Sequence, residues 1–267
     1  MTPEIGAVKG YYFSRALNPR LRADVQHGGT VTALLELAMG EGVIDSAIVS
    51  SRSEDFEQCG LLVTDQIQLR RHSKSWFTVS PTLAAFNRIP DDRKKRTGVV
   101  ATPCQAMALA KMKTAEIPGN SGSDFPGLVI GLFCGWTLSM EKFHNLLARY
   151  GITEADLTGM DIPAGKNILE LFTAGGLLSV PMAEVDHCVR TACRYCMDST
   201  AEFADLSVGA ARFGTDCEEM RGWNQIIVRS DRGKELIELA VAKQVLQLRE
   251  ASAQALRELK RAAAETK

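Results

Sequence analysis

Hydrophobic residues in this chain fall into short runs whose spacing alternates between helical and extended periods, punctuated by glycine, proline and charged clusters. In ADVQHGGTVTALLELAMGEGVIDSAIVS, Val31, Leu34, Leu35 and Leu37 recur at near-helical spacing after Gly28 and Gly29. Gly40 and Gly42 supply the stop, and Val43 to Val49 reads as a strand. A short strand is predicted from Gly60 to Thr64, and SWFTVSPTLAAFNRI reads as a loop entering a short helix. The polar run DDRKK with Arg96 reads as a hinge.

The next unit occurs twice in architecture. Thr97 to Ala101 is a predicted strand, Thr102 to Cys104 a turn, and Gln105 to Lys113 a helix. Leu128 to Phe133 is again a strand, Cys134 to Thr137 a turn, and Ser139 to Tyr150 a helix capped by Ser139 or Thr137. Cys104 and Cys134 thus fall at the carboxyl ends of strands, the edge of an open α/β sheet where loops open outward and ligands bind. If the two strands are parallel neighbours, both cysteines face one crevice. Residues 114–127 form a Pro/Gly/Ser-rich loop, Thr153 with Asp156 marks a capping box, and ILELFTAGGLLSVPM reads as a hairpin turning at Gly175 and Gly176. A strand is predicted from Trp223 to Arg229. The final stretch, with Leu236, Leu239, Leu246, Leu256 and Leu259 on a helical period, reads as one long helical tail over 236–267 that docks on a partner or packs on its own domain. The fold class is therefore α/β, a mixed, mostly parallel sheet with flanking helices and a long C-terminal helix.

Composition narrows the class of function. A content of 45% hydrophobic residues is ample for a sizeable core. The 31 basic and 32 acidic residues leave a net charge of -1, with no bulk attraction for nucleic acid or an anionic membrane. No window approaches the roughly 18 uninterrupted apolar residues of a membrane span, and MTPEIGAVKGYYFSR lacks a signal-peptide pattern, so a cytoplasmic protein without membrane insertion is expected. In a reducing compartment the seven cysteines, an odd number, are expected as free thiols.

Four of those cysteines invite a metal reading. Cys193 and Cys196 form a CxxC in the polar, irregular stretch RTACRYCMDS, a spacing that lets two thiolates bind one metal centre from a tight turn. Of the histidines His27, His72, His144 and His187, only His187 lies near it in sequence. With Cys104 and Cys134 arriving from two strand ends, four thiolates can assemble, and the chemistry admits a 4Fe-4S cluster and an all-cysteine zinc site equally. Core packing remains the plainer reading of Cys104 and Cys134, and Cys188 is an alternative fourth ligand. Cys59 and Cys217 lack a matching context. Gly28-Gly29-Thr30 offers bare amides to a phosphate or is an ordinary helix entry, since no GxGxxG or P-loop lysine accompanies it. Lys166 is a candidate anion contact, and Asp205 a candidate ribose contact or turn cap. Arg93 to Arg96 reads as a solvated face.

Taken in order, VQHGGTVTALL, TPCQAMAL, GLFCG, Gly165-Lys166, CRYCMDSTAEFADLSVG and GWNQIIVRSDRG resemble the beta subunits of coenzyme F420-reducing hydrogenases and F420-linked formate dehydrogenases. The resemblance spans about residues 9 to 235, and its most specific piece is the CxxC followed by Asp198 and AEFADLSVG. It implies a domain over 1–235 that carries FAD and a 4Fe-4S cluster and exchanges a hydride with coenzyme F420, with no side chain needed as general base for the step in which the flavin takes the hydride. The cluster ligands it implies are Cys104, Cys134, Cys193 and Cys196, in a cluster-binding loop region. The flavin would be lined by Gly28, Gly29, Thr30 and Thr32, by Thr78, Ser80 and Pro81, by Thr102 and Gln105, by Lys166, and by Asp205 and Ser207. Two departures stand out. His27 occupies a place where an acidic residue is common, and GAARFGTDCEEMR before Trp223 is longer than expected.

The chain carries no added ferredoxin segment, so the resemblance implies a hetero-oligomer in which hydrogenase, formate dehydrogenase or heterodisulfide reductase-like subunits supply or take the electrons. Ferredoxin or NAD(P)H in place of the deazaflavin is one alternative, and a flavin-free, zinc-bound adaptor another. Arg70, Arg71 and Lys74 are candidate contacts for the anionic tail of coenzyme F420.

Overall fold

An eight-stranded sheet organises the computed structural model, which describes residues 2–53, 57–115, 126–211, 220 and 222–266. The chain begins with β1 (Gly10–Ala16), α1 (Pro19–Asp24), α2 (Thr30–Gly40), β2 (Ser46–Arg52) and β3 (Gln58–Val63). Three short helices, α3 (Gln66–Arg71), α4 (Thr82–Asn87) and α5 (Asp91–Lys94), lead to β4 (Thr97–Ala101), α6 (Pro103–Thr114), β5 (Leu128–Leu132) and α7 (Met140–Arg149). A small unit follows, with β6 (Leu157–Asp161), β7 (Ile168–Thr173), β8 (Gly176–Pro181) and α8 (Met182–Asp186). The chain then returns to the main sheet as β9 (Leu206–Ala210), β10 (Asn224–Val228), α9 (Asp231–Ala242), β11 (Leu246–Glu250) and α10 (Ala253–Ala264).

The strand order is β11-β1-β10-β9-β5-β4-β2-β3. Only β2, β4, β5 and β9 are mutually parallel, and every pairing outside that group is antiparallel. The expected mixed α/β sheet is present, with its parallel part confined to the centre. Strand β5, Leu-Val-Ile-Gly-Leu, is apolar throughout because both of its faces are covered. Leu128 and Ile130 join the core beneath α2 and α9, while Val129 packs with Phe86 of α4 and Ala106 and Leu109 of α6 on the other face. The β6-β7-β8 sheet has its own apolar cluster with α7 and α8, built on Phe143, Leu147, Leu169 and Val185.

Several sequence expectations need correction. The tail over 236–267 is not one long helix, because α9 ends at Ala242 and residues 246–250 form β11, which pairs with β1 at the edge of the main sheet. Leu236, Leu246 and Leu259 are buried within this chain's own cores, so they are not a free docking face. The strand expected at Val43 begins at Ser46, and the polar hinge at 91–96 contains the short helix α5. The capping box at Thr153 and Asp156 and the turn at Gly175 and Gly176 form as read.

Candidate functional site

Parallel strands β2, β4, β5 and β9 end at one edge of the sheet, joined there by the start of β10 and the end of β1. A cleft of about 210 Å³ opens over that edge. The amino end of α2 forms one wall, with Gly29, Thr30 and Thr32, and the loop from His72 to Phe77 forms another. Leu132, Phe133, Gly209 and Asn224 lie at its floor.

Local chemistry explains the glycine pair. Gly29 adopts φ +71 at the helix entry, and a Cβ on Gly28 would sit 2.7 Å from Asn224 Oδ1 and 2.9 Å from the Ser14 carbonyl oxygen. The entry is then locked. Thr30 N–H donates to Asn224 Oδ1 at 3.3 Å, Asn224 Nδ2 donates to the Gly209 carbonyl at 3.2 Å, and the buried hydroxyls of Thr30 and Ser14 meet at 2.9 Å. The N-cap of α2, Gly29, carries no side chain and no acidic residue lies in its first turn, so apart from the Thr30 N–H taken by Asn224 its positive end opens into the cleft.

The far wall is held from two sides. Gln26 Nε2 donates to the Met160 carbonyl and to Asp161 Oδ1, its Oε1 accepts from Ser75 N–H, and Lys74 Nζ donates to the Thr158 carbonyl. His27 Nε2 lies 3.5 Å from Asp161 Oδ1. Both His27 and Phe77 hold positive φ, 57 and 53, an uncommon backbone for residues with side chains that concentrates at functional sites.

Cys104, Cys193 and Cys196 lie near enough to Cys134, which follows the cleft-lining Phe133, to act on its charge. Cys134 follows β5 and its N–H donates to the Ser199 carbonyl. The same loop is laced to the CxxC segment, because Arg190 N–H donates to the Thr137 carbonyl and Ser139 N–H donates to the Cys188 carbonyl. Burial pushes the Cys134 thiol up to about 12, aided by Cys104, Cys193 and Cys196. Those three sulfurs therefore share its electrostatic neighbourhood. Cys193 and Cys196 lie on a short 3-10 turn, Thr191 to Tyr195, and its end. Among the described residues, no three His, Cys, Asp or Glu side chains converge on one metal-ion position.

The remaining named residues are distributed unevenly. Thr102, Gln105, Ser80 and Cys59 form a chain of hydrogen bonds, with Gln105 Nε2 donating to the Ser80 carbonyl at 2.8 Å and Ser80 Oγ to the Cys59 carbonyl at 2.9 Å. Thr78, next to Phe77 and before Pro81, has a buried hydroxyl oxygen without a protein partner. Lys166 is exposed on the β6–β7 connection, with Nζ 3.8 Å from Glu170 Oε1, away from the cleft lining. Asp205 sits at the opposite, amino-terminal edge of β5 and β9. There its carboxylate accepts from Val129 N–H in β5 and from the hydroxyl of Ser230, the N-cap of α9. Ser207 is fully buried between Ala201 and Arg229, so it too does not face the cleft. Cys188 packs in the small unit's core and Arg70 pairs with Glu36, while Lys74 lines the cleft. Cys217 and most of the 114–127 and 209–221 loops lie outside the described residues.

Sequence reasoning passed over Ser14, Gln26, His72 and Arg229. Arg229 is buried, its guanidinium donating to Ser207 Oγ and to the carbonyls of Ile5, Ala7 and Thr200. Burial lowers it to about 10, against the pull of Asp198 and Glu202. Asp198 accepts from the N–H groups of Thr200 and Glu202, so the turn following the CxxC is shaped by this buried pair of charges. The signal for Arg229 was present in GWNQIIVRSDRG; that for Ser14 was not.

Two family models match the chain. Residues 11–87 match the N-terminal and residues 94–254 the C-terminal region of the coenzyme F420 hydrogenase/dehydrogenase beta subunit. The chain belongs to this family. It is 26% identical over 242 residues to the coenzyme F420 hydrogenase subunit beta of Methanothermobacter thermautotrophicus, covering 89% of this chain and 83% of that relative. It is also 25% identical to the F420-dependent formate dehydrogenase subunit beta of Methanocaldococcus jannaschii, over 92% of this chain and 63% of that one. A chain of the F420-reducing [NiFe] hydrogenase complex from Methanosarcina barkeri superposes with a TM-score of 0.88 over 99% of this beta-subunit homologue and 90% of its own length, at 21% identity, which establishes the shared fold. Among the described residues, no helix of this family member is long and apolar enough to cross a membrane.

Proposed function

We propose that this beta-subunit homologue is the redox subunit of an oxidoreductase complex, exchanging a hydride with coenzyme F420 through bound FAD and passing electrons through a 4Fe-4S cluster to a partner protein. The observation that carries the reading is the adjacency, at one sheet edge, of a cleft walled by a helix amino end and a group of four cysteines drawn from three separate segments. The residues fit both groups. The start of α2, whose N-cap Gly29 carries no side chain, suits an anionic diphosphate, and the unpartnered hydroxyl of Thr78, one residue after the cleft-lining Phe77, suits a polar ligand atom. Zinc draws four thiolates to about 2.3 Å from one centre. A donor set of four cysteines serves a zinc site and a four-iron cluster alike, and the resemblance to the F420-linked beta subunits favours the cluster.

When bound, FAD supplies two-electron hydride chemistry and one-electron release, and the iron-sulfur cluster accepts electrons one at a time. Gly28 to Thr32 would bind the diphosphate, with Asn224 and Ser14 holding Thr30 in place. Phe77 would shield the cleft from water. Cys104, Cys134, Cys193 and Cys196 would hold the cluster, and the amide and hydroxyl of Thr137 would orient the Cys193 sulfur. Tyr195 and Met197, 80% and 67% exposed around the CxxC, offer a partner protein an apolar contact close to the cluster.

The test is the absorption spectrum of anaerobically purified protein before and after dithionite, with iron and flavin analysis. Flavin bands riding on a broad absorption that both bleach are expected. A colourless protein holding zinc overturns the reading. Bleaching by NADPH with no response to reduced coenzyme F420 would keep the cofactors and replace the substrate.

A further inference from the structure

His72 is a titratable group on the cleft wall that none of the roles above employs. It follows α3 and its Nδ1 lies 2.8 Å from Ser51 Oγ on β2. That hydroxyl also donates to the Arg52 carbonyl at 3.3 Å. Ser51 has one proton, so both contacts are satisfied together only when Nδ1–H donates to Oγ and Oγ–H donates to the carbonyl. This arrangement selects the tautomer that leaves the lone pair on Nε2. Of the charged and titratable groups, Arg71 on its own segment acts on the ring, and Lys74 and His27 line the same cleft, His27 lying 3.5 Å from Asp161. Burial, and then Arg71, lower His72 below the usual histidine range, so it stands neutral at physiological pH.

We propose that His72, oriented by Ser51, is the proton acceptor for hydride exchange in this cleft. The proposal rests on the deazaflavin reading above. A reduced deazaflavin loses two electrons and two protons on oxidation. The hydride carries both electrons and one proton to the flavin, and the second proton needs a base. Nε2 of neutral His72 takes it, forming imidazolium, and releases it to solvent through the open mouth of the cleft. In the reverse direction the imidazolium returns that proton.

The experiment follows flavin bleaching by reduced coenzyme F420 in single turnovers across pH, with a proton-sensitive dye and an NMR titration of the His72 ring as readouts apart from turnover. In the wild type the rate is expected to fall as pH drops through the lowered histidine value, because imidazolium cannot accept a proton. His72→Gln should slow bleaching by about 10²-fold or more and remove that acid limb, with flavin content unchanged. Ser51→Ala keeps the imidazole but removes the partner that favours its charged form. Its acid limb and ring titration should both move to lower pH, which decides the matter if His72→Gln does not fold. A wild-type rate and acid limb in His72→Gln, or an unmoved limb in Ser51→Ala, overturns the role of His72 and leaves the proposed redox function standing. A flavin-loaded wild type that does not respond to reduced coenzyme F420 overturns the substrate reading and this proposal with it.

Discussion

Cys193 Sγ lies 3.4 Å from both the backbone nitrogen and the hydroxyl oxygen of Thr137 in the loop that follows β5, accepting from the N–H. The contact joins the CxxC to the carboxyl end of a parallel strand through one sulfur. Hydrogen bonds to a cluster sulfur favour the more negative, reduced state and so raise its potential. Thr137→Val removes the hydroxyl and keeps the amide, so the cluster potential is expected to fall while iron content stays whole. Potentiometry followed by electron paramagnetic resonance checks this, and an unchanged potential would show that the hydroxyl does not reach the thiolate.

Cys193→Ser separates the two redox groups. Iron content should drop and electron delivery to an external one-electron acceptor should be lost, while bleaching of the flavin by reduced coenzyme F420 persists. Normal iron with normal electron transfer would remove Cys193 from the cluster.

Gly28→Ala tests the helix entry. The added methyl meets Asn224 Oδ1 and the Ser14 carbonyl, and moving either one disturbs the bonds that hold Thr30. Weaker flavin retention is expected together with a loss of stability of about 1–3 kcal/mol, measured by flavin fluorescence and denaturant unfolding. Gly42→Ala is the control, because Gly42 also has positive φ but its Cβ would meet nothing within 4 Å and it lies outside the cleft lining. It should cost stability without releasing flavin.

Arg229→Met removes a buried charge whose donors satisfy carbonyls of the N-terminal segment and of the turn after the CxxC. The buried Asp198 is then left without its balancing cation. A loss of about 3–5 kcal/mol is expected, read by urea unfolding, with impaired cluster retention because the Asp198 turn loosens. Near-wild-type stability would show that Asp198 does not depend on this charge.

Tyr195→Asp places a charge on the exposed apolar surface beside the CxxC. Cofactor content should be unchanged while affinity for the partner protein drops, measured by co-purification of the complex. Loss of iron in this variant would reassign Tyr195 to the cluster site.

Much of this was legible in the chain because the signals were local. Thr97 to Ala101 followed by a helix, and Leu128 onward followed by another, could be read from apolar runs bounded by turn residues, and with them the corner positions of Cys104 and Cys134. The Gly28-Gly29 entry was equally visible, since positive φ and close approach of neighbours require glycine there.

Other features depend on partners far away in sequence. Residues 246–250 carry Leu246 and Leu248 at a spacing of two inside a tail that otherwise reads with helical period, and a run that short does not choose between the two states. The open edge of β1 chooses, by pairing with it as β11. Asp205 and Ser207 sit in a stretch that reads as cofactor-binding, yet the sheet turns one toward the opposite edge and the other into the core with Arg229. His72 is one histidine among four in the sequence, and only the fold sets it against Ser51 in the cleft. The sequence by itself determined where strands end and which corners carry thiols, because backbone preference and periodicity act over a few residues. The tertiary structure alone decided which corners meet, which side chains face the cleft and which titratable groups lose solvent, because burial and hydrogen-bond partnership are supplied by segments distant in the chain.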